Sequence, residues 1–240
     1  LYLPTVETVN DGVAIINGCR DLNKNGVIDD YENWRLPIET RINNLMSLMT
    51  ITEKAYQMFY NAQQFNIAGW AFGPINETES QTLQATAAAS RLGIPYVTSG
   101  DCIHGYKTTY PVQSTMAAAR DLDLVYRCAS IQRMEQVGVG FRGTLAPLAE
   151  VGTKVIYDRI QEGCGEDADF AAGMTRAMVC GLQGGPEINP NSIMVHTKHW
   201  PGEGAGGEGG IVYDGVTINY HMKPWYANNE ANAGGIMPGY

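Results

Sequence analysis

Apolar positions along the chain change period several times, and each change predicts an element. From Ile38 the spacing is helical: Ile42, Leu45, Met46 and Met49 fall at i, i+3, i+4 and i+7, on one face. Thr50 and Glu53 of "TITE" have capping-box spacing and predict a second helix running to Met58. Short apolar strands then alternate with helices. The segments 67–72, 93–100, 139–148, 192–200 and 234–240 read as strands. "LDLVYRCASIQRMEQVG" (122–138) reads as a helix stopped by glycine, and "DADFAAGMTRAMVCGLQG" (167–184) as a helix started by Asp167. No internal repeat or low-complexity tract is present, and Gly202 to Gly210 is a glycine-rich loop.

Alternation of this kind predicts an α/β fold with a parallel sheet and crossover connections. Polar residues gather just after the strands: Asp101, then Lys198 with His199, then Tyr240. Both (β/α)8 barrels and doubly wound sheets carry ligands at that edge. No GxGxxG opens a helix after the first strand and no Walker motif is present, which favours the barrel. About five strands can be placed against the barrel's eight, so the expectation is a (β/α)8-type barrel incomplete at its C-terminal side.

Ahead of the helices lies "DLNKNGVIDDYE" (21–32), which has the spacing of an EF-hand calcium loop. Such a loop binds through positions 1, 3, 5, 7, 9 and 12 and turns on a glycine at 6. Here these are Asp21, Asn23, Asn25, the Val27 carbonyl, Asp29 and Glu32, with Gly26 at the turn. A polar surface turn uses the same residue types, so that reading stands beside the metal site. A calcium sensor is disfavoured, because sensors pair their loops and flank them with helices, and this chain has one such loop. The loop therefore reads as a structural Ca²⁺ clip. The expected division is an N-terminal segment, 1–37, carrying the loop, and a partial barrel, 38–240.

Composition narrows the partners. The 240 residues carry a formal net charge of −9 and no basic cluster, which argues against nucleic acid. No apolar run is long enough to span a membrane. The five cysteines show no CxxC spacing, so a zinc site is not expected. No leader peptide is visible, and the chain does not start with Met.

Taken singly, the polar residues have bland alternatives. Asp101 could be a turn former or helix cap, and Arg159 a surface arginine. His104 reads as structural, and Met237 and Tyr240 as core or rim residues. Adjacent Lys198 and His199 at the end of a buried strand need partners or a ligand to offset their desolvation, and a structural ion pair would also serve.

Together, "ETRINNLMSLMTITEKAYQM", "RLGIPYVTSGDCIHG", "YPVQSTMAAARDLDLVYR", "LAPLAEV", "EGCGEDADF", "GLQG", "KHWPGEG" and "IMPGY" follow one another in an order that resembles glycoside hydrolase family 3. The resemblance runs from about Ile38 to Tyr240. It implies a β-glucosidase-like hydrolase that removes terminal β-linked glucosyl residues by a retaining mechanism. It also implies a secreted or periplasmic location and a β-glucoside or oligosaccharide as the bound partner. By the same resemblance Asp101 would accept hydrogen bonds from sugar hydroxyls, Lys198 and His199 would bind hydroxyls, and Met237 and Tyr240 would pack beside the ring. Arg159 matches the last arginine of the family's Asp-Pro-Arg-Trp-Gly-Arg stretch, which reads Lys154-Val155-Ile156-Tyr157-Asp158-Arg159 here. The loop "EGAGGEGG" lacks the Asp-Ser-His signature of the N-acetylglucosamine-cleaving subgroup. A retaining glycosidase needs a carboxylate nucleophile and a carboxylic acid about 5 Å apart. The family's nucleophile lies on the strand after "IMPGY" and its acid/base in a later domain, so no catalytic carboxylate is expected in this chain, and the remaining part of the glycosidase is an expected partner. The competing expectation is a non-catalytic carbohydrate-binding homologue.

Overall fold

The computed structural model describes residues 12–59, 70–73, 76–206, 213 and 215–239. The chain divides into two compact units, Leu1–Ser99 and Gly100–Tyr240. Both are built from helices and parallel strands, the α/β class expected from the alternating pattern.

The first unit opens with a small antiparallel hairpin, β1 (Ile15–Ile16) and β2 (Cys19–Arg20). Asn17 and Gly18 turn it, both with positive φ (52° and 73°), the backbone that a two-residue hairpin loop requires. The 21–32 loop follows directly and closes on a 3₁₀ turn, Asp30–Glu32. Helix α1 (Ile38–Leu48) and helix α2 (Ile51–Tyr56) come next. Thr50 and Glu53 form the expected capping box, but α2 ends two residues before Met58. On the apolar stripe of α1, Met49 is buried while Ile42 and Met46 remain exposed.

Strand β3 (Trp70–Phe72) pairs in parallel with β4 (Val97–Gly100), and α3 (Glu77–Ala89) connects them. Positions 67–69 of the expected first strand lie outside the described residues. Ala71, Ala87 and Tyr96 form the core between helix and strands. The Gln84 side chain bonds both backbone groups of Tyr96, donating to its carbonyl (2.9 Å) and accepting from its N–H (3.2 Å), which fixes α3 against the strand approach.

The second unit contains α4 (Gln113–Ala118), α5 (Leu122–Gly138), β5 (Gly143–Thr144), α6 (Ala168–Gln183), β6 (Met194–Trp200), α7 (Thr217–His221), α8 (Lys223–Glu230) and β7 (Gly235–Pro238). Strands β5, β6 and β7 are parallel neighbours. Helices α5 and α6 have the boundaries their patterns predict. Asp121 caps α5, Asp167 caps α6, and Gly184 closes α6 in the left-handed conformation. The helices approach closely at Gly181, where a Cβ would lie 2.6 Å from that of Ala129. Apolar burial runs from Val125 to Ala168, Ala171, Met174 and Met178 on one side, and from Ala129 to Val179, Leu182 and Val195 on the other.

The expected strand 139–148 is corrected by the structure. α5 ends at Gly138 as expected, but the regular strand is limited to Gly143–Thr144. The reason lies in the sequence that follows. Pro147 has no N–H to continue a ladder, so pairing resumes at Leu148, which bridges to Lys198. Beyond this bridge the chain runs on to Arg159, whose guanidinium reaches His199 on β6.

Candidate functional site

All the described candidate residues of the site lie in the second unit. Asp101 directly follows β4, and its carbonyl accepts from the Thr144 hydroxyl at 3.1 Å, which ties it to β5. Lys198 and His199 lie near the end of β6, before Trp200, and both are buried. The Nζ of Lys198 donates to Oδ1 of Asp101. The lysine side chain is 4 % exposed and the aspartate 49 %, so a sequestered ammonium meets a carboxylate that still faces solvent. Burial, reinforced by the Asp101 charge, pushes the neighbouring Cys102 thiol up to about 12, which keeps it protonated at neutral pH.

Arg159 comes from the irregular chain between β5 and α6. Its guanidinium clasps Glu162, with Nε donating to Oε2 at 3.0 Å, and its Nη1 lies 3.4 Å from Nε2 of His199. Met237 on β7 is the register partner of Lys198, which sets it beside the pair. Asp101, Lys198, His199 and Arg159 are thus linked by direct contacts, and Met237 by strand pairing. Tyr240 lies outside the described residues.

Beneath these residues lies a second layer that single-residue reading did not find. Glu150 is fully buried. Its Oε1 accepts the His199 backbone N–H at 2.8 Å, and its Oε2 accepts the backbone N–H of Glu203. Nδ1 of His199 sits 3.3 Å from Glu150 Oε1 and 3.4 Å from Glu203 Oε2. Glu150, His199 and Glu203 form the one group of three close carboxylate and imidazole ligands among the described residues. The turn 199–203 is braced from outside by Trp225, whose indole donates to the Pro201 carbonyl at 2.9 Å, and by the Tyr213 hydroxyl, which donates to that of Gly202. Among the described residues the buried Tyr157 hydroxyl has no hydrogen-bond partner. Burial first, then the charges of Glu150 and Glu203, raise its pKa far above the usual phenol range. A signal for Glu150 was present in "LAPLAEV", since a charge inside a buried apolar run requires a partner.

In the first unit the calcium-type loop is closed on itself. Asp21 accepts the N–H groups of Asn25 (3.1 Å) and Gly26 (2.9 Å). Asp29 Oδ2 accepts the side-chain amides of Asn23 (2.7 Å) and Asn25 (2.9 Å). Glu32 accepts the N–H groups of Asn23 (3.1 Å) and Asp29 (2.9 Å). Gly26 takes a positive φ of 86°, as the sharp turn needs.

Comparison with known proteins agrees on one family. The model for the glycosyl hydrolase family 3 N terminal domain matches residues 65–240. A periplasmic beta-glucosidase/beta-xylosidase of Dickeya chrysanthemi is 31 % identical over 98 % of this chain and 44 % of its own length. Beta-glucosidase C of Emericella nidulans is 27 % identical over 95 % of this chain and 44 % of its own. Among solved structures, a beta-glucosidase of Listeria innocua in complex with isofagomine superposes with a TM-score of 0.76 at 25 % identity, covering 85 % of this chain and 32 % of that one. The chain spans less than half the length of these relatives.

Proposed function

The chain belongs to glycosyl hydrolase family 3, and from that premise we propose that it forms the sugar-holding part of a β-glucosidase-like enzyme that removes terminal β-linked glucosyl residues with retention. The observation that carries this reading is the contact of Lys198 with Asp101, two residues distant in sequence that meet at strand ends. A sugar offers hydroxyls that both donate and accept. The exposed Asp101 carboxylate accepts from them, and the Lys198 ammonium donates. The Lys198–Asp101 pairing fixes both groups before a sugar arrives, which lowers the ordering cost of binding. Arg159, held by Glu162, supplies further donors, and His199 presents a ring nitrogen beside it. Met237 and Tyr240 are assigned to packing against the ring. We assign neither nucleophile nor acid/base to a residue of this chain; retaining hydrolysis needs that carboxyl pair about 5 Å apart.

We assign residues 1–37 as a calcium-carrying segment and 38–240 as the barrel-type portion. Asp21, Asn23, Asn25, the Val27 carbonyl, Asp29 and Glu32 would hold Ca²⁺, a hard cation that takes oxygen ligands. The donor set fits: it is all oxygen, and the carboxylates of Asp21 and Glu32 are buried in a preformed loop. When bound, the ion would supply structural cross-linking, not chemistry at the sugar. A periplasmic or secreted location is supported by the periplasmic beta-glucosidases of Dickeya chrysanthemi and Salmonella typhimurium. No helix among the described residues is long and apolar enough to cross a membrane.

The test is an assay of the full-length protein that carries this chain, using chromogenic β-glucosides, with the anomer of the first product followed by NMR. Release of β-glucose, strongly reduced by Asp101→Ala, is the expected result. No turnover of any β-glycoside, or first release of the α-anomer, would overturn the reading.

A further inference from the structure

His199 is held from two sides by groups of opposite hydrogen-bonding character. Nε2 faces Nη1 of Arg159 at 3.4 Å. A guanidinium can only donate, so the nitrogen facing it must accept and carry no proton. Nδ1 faces two carboxylate oxygens, Glu150 Oε1 at 3.3 Å and Glu203 Oε2 at 3.4 Å. Ionised carboxylates only accept, so this nitrogen must carry the proton. Both constraints select the same neutral tautomer, with the proton on Nδ1.

We propose that Glu150, together with Glu203, is a positioning residue that locks His199 as the Nδ1–H tautomer, so that Nε2 accepts from Arg159 and holds its guanidinium at the sugar site. Glu150 suits this role because it does two jobs with one carboxylate. Its oxygens take the backbone N–H groups of residues 199 and 203, holding both ends of the turn that carries the imidazole. The same Oε1 also faces the ring. The three ligand atoms are close enough for a metal ion. A metal on Nδ1, however, would transfer the ring proton to Nε2, against a guanidinium that has no acceptor to offer it. A proton satisfies the cluster and a metal does not.

The consequence is a fixed guanidinium. With Nε2 accepting, the guanidinium is held between His199 and Glu162 for the sugar, whereas the opposite tautomer would turn a proton against it. This part of the inference rests on the sugar-holding reading above; the tautomer itself does not.

Two measurements on the full-length protein separate these claims. The ring nitrogens of His199, identified by the signals lost in His199→Gln, report the tautomer by ¹⁵N NMR without any turnover. The expected result is a protonated Nδ1 and a bare Nε2, with a mixed signal in Glu150→Gln or, if that variant does not fold, in Glu203→Gln. A proton on Nε2 in the unaltered protein overturns the proposal. The second measurement is a double-mutant cycle in kcat/KM on a chromogenic β-glucoside. Glu150→Gln should lower kcat/KM by roughly tenfold or more, the scale of one hydrogen bond to a charged group, and by less than threefold when His199 is already Gln. Equal losses in both backgrounds would show that Glu150 does not act through His199. An inactive parent protein would count against the glycosidase reading, while the ring nitrogens would still decide the tautomer.

Discussion

Lys198 Nζ is bonded to Asp101 Oδ1, although the two residues stand 97 positions apart in the chain. The arrangement is asymmetric: the ammonium is buried and the carboxylate half exposed. Removing the carboxylate therefore strands a charge that water reaches poorly. Asp101→Ala should destabilise the protein by about 1–2 kcal/mol, less than for a fully buried pair because Asp101 itself is partly solvated. Asp101→Asn keeps the shape and should recover part of that loss while leaving sugar affinity weak. Thermal melting and binding of gluconolactone, measured on both variants, separate the two effects. Equal affinity for the sugar in Asp101→Asn and the unaltered protein would remove Asp101 from the binding site.

The calcium-type loop is docked within the first unit at two points. The Tyr31 hydroxyl donates to the Leu92 carbonyl at 2.9 Å, and Gly93 lies so close to Leu22 that a Cβ would stand 2.2 Å from its carbonyl oxygen. Gly93 also has a positive φ of 58°. Gly93→Ala should therefore displace the loop, costing more than the roughly 1 kcal/mol of backbone strain alone, and should weaken calcium binding. Glu32→Gln should weaken binding without disturbing Gly93. Melting with Ca²⁺ and with a chelator checks both. A midpoint that does not move with the ion would leave the loop as a polar turn.

The elements best marked in the sequence were those with strong end signals. Asp121 and Asp167 cap α5 and α6, α5 ends on Gly138 and Gly184 closes α6, so periodicity and end residues agree on the boundaries. The strand from 139 to 148 was misread because an apolar run has no period to separate strand from connection, and Pro147 breaks the ladder inside it. Among the site residues, Lys198 and His199 stood out because charge at the end of a buried strand is costly. Glu150 carried the same signal, but its partners are backbone N–H groups of residues 199 and 203, and no spacing in the sequence reveals a contact of that kind. Arg159 keeps only the last position of the family stretch, and its clasp by Glu162 follows from a one-turn spacing in a segment with no helical pattern.

Acid should loosen the first unit through Glu53. The Arg91 guanidinium beside it, with further bonds from Thr50, holds its carboxyl down at about 2. A carboxyl whose folded pKa lies below its unfolded value stabilises fully above the unfolded value, near 4.5. That contribution is lost as pH falls through about 2. Arg91 is about half exposed, so the contribution is about 1 kcal/mol. Glu53→Gln keeps an N3 residue able to complete the capping box. The variant should be less stable at pH 7, and the difference should shrink as pH falls from 4.5 through about 2. A difference that does not shrink between pH 4.5 and pH 2 would mean that packing, not charge, is what Glu53 contributes.

Tyr157 offers a test of the buried layer that leaves its charges intact. Its hydroxyl has no partner although the side chain is 1 % exposed and lies in the field of Glu150 and Glu203. A buried hydroxyl without a hydrogen bond costs about 1–3 kcal/mol of desolvation, whereas the ring itself contributes packing. Tyr157→Phe keeps the ring and deletes only that oxygen. It should therefore leave stability unchanged or raise it by about 1 kcal/mol, and the sugar contacts proposed for Asp101 and Lys198 should be unaffected. Chemical denaturation at pH 7 measures the first, and binding of isofagomine the second. A loss of more than about 1 kcal/mol would show that the hydroxyl is hydrogen-bonded, with an ordered water bridging it to the glutamates as the natural partner. In that case the layer beneath His199 would be a connected polar network, and the coupling between Glu150 and His199 should weaken when Tyr157 is Phe.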